Sequence, residues 1–276
     1  MSEKFSKVNY VQKISCEGGA TEKVKSNASY RSKANFDTPR SPRFNKGHLK
    51  IQRIVGILLI IANIIINIPI LLRNVTNPLW ALAFYSLWGS GTAFMALVSS
   101  TIAMDTEGWF KFAFIMTEIS YAVNVIVVII FWLVLWPMTL QQAEMMDNEM
   151  ERAFLIWYQG LIHAIPMITT VLDLYMTDMA LEKSHWWIAF ITMFPFYMIC
   201  NWVGAMTMGG LNGKIGNIYG VEQWDTNIPL TIFLFFLLSC IQAAIFYGSA
   251  ACIDKIWPKR VTEIYELNKN LLDDEK

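Results

Sequence analysis

Six stretches of the chain, at about residues 54–72, 79–103, 110–136, 153–177, 186–208 and 228–252, are apolar and almost free of charge. Each supplies the ~20 residues that carry a helix across a ~30 Å hydrocarbon core. Inside such a core only helices and closed barrels satisfy their own backbone polar groups. Composition agrees: 55% of the 276 residues are hydrophobic and 16% charged, against roughly 45–50% and 25% in soluble domains. The charge is confined to the N-terminal tail, the short loops and the C-terminal end, whereas a soluble protein interleaves it along every surface helix. The predicted fold is all-α: a polytopic membrane protein, with a bundle of six transmembrane helices within residues 51–257.

Residues 1–50 are rich in Ser, Asn and Lys and hold no sustained amphipathic period, which predicts a flexible, disordered cytosolic tail. Thr38-Pro39 and Ser41-Pro42 are candidate phosphorylation sites in it. The tail lacks the apolar core of a signal peptide; its basic, acid-poor composition leaves a cleaved transit peptide as a lesser alternative. Residues 258–276 form a short charged C-terminal segment.

Twelve Lys and Arg precede or include Arg53, and Lys255, Lys259 and Arg260 follow the last run. Loops on the other side offer Arg73, Arg152 and Lys214, and residues 137–152 are acidic. The positive-inside rule therefore puts both termini in the cytosol. An endomembrane or the plasma membrane fits this orientation, and the mitochondrial inner membrane stays open. Trp80, Trp109, Trp136, Trp157, Trp186, Trp187 and Trp257 fall near run ends, where indole prefers the interface. Asn74-Val-Thr76 is formally a glycosylation sequon, too close to the membrane to expect use.

Net charge is zero, so nothing argues for nucleic acid. Cys16, Cys200, Cys240 and Cys252 have neither zinc-ligand spacing nor the look of a disulfide framework.

Polar residues within the runs are the most informative, because each is costly in lipid. In the fourth run Gln159, His163, Pro166, Thr170 and Asp173 recur at i, i+4, i+7, i+11 and i+14, one stripe of a helix. Asn67, Ser86, Ser90, Asn124, Gln159, His163, Asn201 and Gln242 fall at middle or outer depth, where they could line one polar cavity. Glu118 and Asp173 lie toward the cytosol, placed to pair through a proton or a cation. For each residue taken alone, interhelical hydrogen bonding is the commoner role. His163 differs, as the single histidine inside a run. It has no second haem ligand and no zinc cluster in the bilayer, so no cofactor or metal is expected. General acid–base chemistry remains, with Ser86, Ser90 or Thr92 as hydroxyl partner. Asp173 is ten residues on, ~15 Å along the axis, which leaves Gln159 or Asn201 to orient the imidazole.

Several short segments resemble the androgen-induced and androgen-dependent TFPI-regulating protein family. They are Trp80, Trp109, Phe131-Trp132, Gly160-Leu-Ile-His163-Ala-Ile-Pro166, Tyr197 with Trp202, and Ile256-Trp257, within residues 55–257. The resemblance implies six-helix membrane hydrolases that cleave fatty acid esters of hydroxy fatty acids with a threonine and a histidine. It makes His163 the general base. The threonine is expected four residues beyond Trp80, where this chain has Phe84, so Ser86 is the substitute nucleophile.

Two functions stay open. One is a hydrolase of lipid esters that draws its substrate from membrane lipids, with His163 and Ser86 catalytic. The other is a non-catalytic membrane protein, an accessory subunit whose partners are other membrane subunits.

Overall fold

The computed structural model describes residues 37, 39–41, 43–74, 84–208 and 224–256, with positions 67–74, 107, 208, 254 and 256 as backbone alone. Trp80, Trp257, Cys16, Thr38, Thr76, most of the tail and the C-terminal segment lie outside the described residues, as do the side chains of Asn67 and Asn74.

The described chain is all-helical. Helix α1 is Lys46–Asn74, α2 Tyr85–Ala103 and α3 Phe110–Ile130. A wider π-type turn, Phe131–Leu135, carries α3 into α4, Trp136–Glu144. Helix α5 is Glu149–Met176. Helix α6, Trp186–Ile191, passes through an irregular segment, Thr192–Tyr197, into α7, Met198–Met208. Helix α8 is Ile228–Ile256. Among the described residues five helical stretches are long and apolar enough to cross a membrane: Lys46–Ile66, Phe110–Glu144, Glu149–Met176, Lys183–Thr207 and Ile228–Ile253. Helix α2, 19 residues long, packs between α1, α3 and α5.

Helix ends follow local chemistry. The Asn148 side chain accepts from the amides of Met150 (2.9 Å) and Glu151 (3.3 Å) and starts α5, with Glu149 and Glu151 in its first turn. Asn45 caps α1 in the same way, accepting from the His48 amide at 2.9 Å. Pro166 interrupts the α5 ladder, and its carbonyl accepts the hydroxyls of Thr169 (3.0 Å) and Thr170 (2.8 Å).

Helices α2 and α3 approach each other most closely, and small residues permit it. Gly89, Ser90, Ala93, Ala96 and Ser100 are buried on one face of α2. At Gly89 the Asn124 side chain of α3 takes the place of a side chain, donating Nδ2–H to the Gly89 carbonyl at 3.1 Å.

Three apolar clusters fill the interior among the described residues. One gathers Ala103, Phe110, Phe114, Leu174, Met179 and Phe246; a second gathers Tyr85, Ile126, Met193, Tyr197, Trp224 and Phe235; a third, smaller, joins Ile60, Ala93 and Leu97 between α1 and α2. The exterior is also apolar: Leu133 is 74% exposed, and Ile51, Trp157, Phe196 and Phe233 are all exposed. An apolar inside together with an apolar outside is what an integral membrane protein presents to its surroundings.

The charged groups of the helices are paired differently from the sequence-based expectation. Asp173 does not meet Glu118. Its Oδ1 accepts from Arg53 Nε at 2.7 Å, with both side chains almost wholly buried, and Arg53 Nη1 donates to the Ser100 carbonyl at 3.0 Å. Glu118 instead accepts from the Glu182 amide (2.8 Å) and meets His185 Nδ1 at 2.6 Å. The two carboxylates lie on different helices that turn toward different neighbours, so each finds a cationic or N–H partner of its own. Nearby, Arg40 binds the end of α5, donating to the carbonyls of Thr177 (2.9 Å) and Met179 (2.6 Å).

Candidate functional site

The stripe on α5 faces inward. His163, Pro166, Thr170 and Asp173 are buried, while Leu161, Ile168 and Leu172 are exposed. Of this stripe His163 alone reaches a cavity of about 150 Å³ that the neighbouring helices line. His163 and Ser86 both line it, together with Tyr85, Tyr197, Thr231 and Phe235.

Two breaks in regular helix shape the walls. The π-type turn supplies Val134 and Leu135 and places Phe131 flat on the imidazole, with centroids 3.7 Å apart and planes at 4°. In the irregular segment Phe194 leaves helical geometry (φ −129°, ψ 115°), and the flanking Met193 and Tyr197 line the cavity. Non-helical backbone at membrane depth is tolerated where it is buried in protein or lines a cavity, and π-bulges cluster at such places.

The imidazole has a defined tautomer. His163 Nδ1 lies 2.7 Å from the Gln159 carbonyl oxygen. A carbonyl can only accept, so Nδ1 carries the proton and donates it; in the neutral ring Nε2 then holds the lone pair. Gln159 therefore orients the histidine, through its main chain one turn back rather than through its side chain. Asn201, the other predicted orienter, is engaged elsewhere: its Oδ1 accepts from Trp224 Nε1 at 2.8 Å and its Nδ2 donates to the Tyr197 hydroxyl at 3.4 Å.

Of the polar residues expected to line one cavity, Ser86 and His163 share it. Asn124 is spent on the carbonyls of Gly89 and Ser120 (2.8 Å), and Gln242 accepts from the Tyr85 hydroxyl at 2.9 Å. Each amide engages a partner on its own or a neighbouring helix, although Asn124 Oδ1 and Gln242 Nε2 find none among the described residues, and the cavity is left mostly apolar. Ser86 is half-buried, and its hydroxyl makes no hydrogen bond among the described residues.

Sequence reading named neither Tyr85 nor Thr231 of the wall, and it quoted Tyr197, and the Phe131 that stacks on His163, for the family resemblance alone, without placing them at the site. A phenylalanine within an apolar run carries no polar signal, and the π-type turn that aims it leaves no trace in hydropathy. Among the described residues no three of His, Cys, Asp and Glu lie together as a metal site would require.

With one imidazole lone pair, the Ser86 hydroxyl, three further hydroxyls already engaged in hydrogen bonds and otherwise apolar walls, the cavity suits an apolar ligand bearing a single polar group. Neither protein-family models, nor characterised proteins, nor solved structures give a match to this chain.

Proposed function

We propose that the chain is a six-span membrane protein with both termini in the cytosol, and a hydrolase of lipid esters akin to the androgen-induced and androgen-dependent TFPI-regulating proteins. Membrane placement is supported by five long apolar helices with α2 packed among them, and by an exposed surface that is itself apolar. The orientation is supported by the Lys and Arg of the N-terminal tail and of the segment after α8.

The observation that carries the hydrolase reading is that Ser86 and His163, from separate helices, line one apolar cavity in which the imidazole tautomer leaves Nε2 basic. In this reading Nε2 takes the Ser86 hydroxyl proton as Oγ attacks the ester carbonyl carbon. The imidazolium then returns that proton to the departing alkoxide, and an acyl-serine forms. Water, deprotonated by the same nitrogen, frees the acid and regenerates the serine. Apolar walls suit the acyl chain, and bilayer access suits a substrate dissolved in lipid.

A second reading, a non-catalytic membrane protein or accessory subunit, is favoured by where the carboxylates are spent. Asp173 faces Arg53 and Glu118 faces His185, so neither backs His163. Fluorophosphonate labelling of the detergent-purified chain separates the two. The hydrolase reading expects wild type to label, and Ser86→Ala and His163→Ala to lose both labelling and ester hydrolysis. A folded wild type that takes no label, or a His163→Ala variant that still hydrolyses esters, overturns it in favour of the second.

A further inference from the structure

A second cavity, a groove of about 430 Å³ between α1 and α5, shares no lining residue with the His163 cavity. Its walls are two helix faces. On α1 they are Ile51, Val55 and Leu59; on α5, Ile168 and Leu172, all of them exposed. Eight residues at the helical rise give an apolar trough ~12 Å long. The floor is Gly56, where a Cβ would come within 2.8 Å of the Leu97 side chain and 3.3 Å of Thr169. Gln52 Nε2 donates to the Thr169 carbonyl at 3.3 Å and ties the two helices together at that level.

One end of the trough is polar and cationic. Arg43 and His48 line it there. The Arg43 side chain makes no hydrogen bond or ion pair among the described residues. His48 Nδ1 accepts from the Asn45 amide at 3.3 Å, so Nε2 carries the ring proton and can donate it. Phe44 sits edge-on to His48 (6.5 Å) and to Tyr175 of α5 (6.3 Å), which fixes the mouth across both helices. Among the described residues no carboxylate lines the groove. The acids near the start of α1, Asp37 and Asp105, face Lys46 instead, at 3.3 and 3.8 Å.

A guanidinium with no partner among the described residues, a ring N–H beside it and an apolar trough below match the two halves of one molecule. We infer that this groove binds a membrane phospholipid of net negative charge, its phosphate held by Arg43 and His48 and one acyl chain laid along Val55, Leu59 and Leu172. A planar guanidinium is the preferred phosphate donor, and basic groups at the cytosolic face recognise anionic headgroups. The inference rests on the membrane placement proposed above and not on the hydrolase chemistry.

The test uses the full chain reconstituted in vesicles of equal phosphatidylglycerol and phosphatidylcholine, then released for native mass spectrometry of retained lipid. Wild type is expected to keep one phosphatidylglycerol in preference. Arg43→Gln/His48→Gln should lose that preference, by roughly fivefold for the cationic Arg43 contact removed. Leu172→Trp, which fills the trough from an exposed position, should retain less of both lipids. Lys50→Gln, an exposed charge of the same helix outside the groove, should behave as wild type. Undiminished preference in the double variant, or an equal loss in Lys50→Gln, overturns the site. A wild type that fails to insert into vesicles overturns the membrane placement as well.

Discussion

Separating Arg53 from Asp173 should be the most damaging polar change available in this bundle. Both side chains are almost wholly buried, and Arg53 Nε sits 2.7 Å from Asp173 Oδ1. Truncating either residue deprives a buried charge of its closest counter-charge, a loss of about 3–5 kcal/mol. Arg53→Met also gives up the hydrogen bond to the Ser100 carbonyl, worth about 1 kcal/mol. Arg53→Met/Asp173→Leu removes both charges at similar volume and should recover most of the loss, since buried pairs are often replaceable by apolar groups without penalty. The cycle is measured by titrating a denaturing detergent into mixed micelles and following helix loss for wild type, both singles and the double. The expected signature is two severe single variants, a mild double and a coupling of at least about 2 kcal/mol. Single variants that each cost less than about 1 kcal/mol would refute the reasoning. The pair would then be hydrated, its charges paid for by water.

Gly89→Val should destabilise the chain by about 1–3 kcal/mol through overpacking, because a Cβ there strikes Asn124 Oδ1 on the closely packed α3; unfolding by the same titration reads this, and a neutral outcome would show that Asn124 can swing away freely. In a cysteine-free background, a cysteine at Asp147, exposed in the loop between α4 and α5, should react with an impermeant maleimide from outside intact cells. A cysteine at Asp105, exposed between α2 and α3, should react only after permeabilisation. The reverse pattern would invert the orientation.

Hydropathy made the helices legible because lipid imposes one rule on every residue of a span. The α5 stripe was legible for a related reason: helical periodicity alone decides that His163, Pro166, Thr170 and Asp173 share a face. What that face meets depends on how neighbouring helices rotate about their axes, and a single sequence does not encode rotation in any countable period. Arg53 shows the difference. Read by charge, it belongs with the basic tail; in three dimensions it lies within α1, turned inward to Asp173. Glu118 and Asp173 were expected to be partners because their depths agree, yet depth fixes one coordinate and the helical rotation fixes the other. The stacking of Phe131 on His163 was not legible, because the π-type turn that places it there shifts the local register without changing composition.

The arrangement that results divides the polar groups by kind. Arg53 with Asp173, and Glu118 with His185, Arg40 and the end of α5, gather where α2 meets α3 and α5 meets α6. Around His163 the groups are neutral: hydroxyls, amides and one imidazole whose Nδ1–H is held by the Gln159 carbonyl. A carboxylate beside that ring would favour the imidazolium and remove the lone pair on which base chemistry depends; a main-chain carbonyl orients the ring without adding a charge. Within the hydrolase reading, a base with no acidic partner beside it among the described residues rests as a neutral group, which suits a site in apolar surroundings.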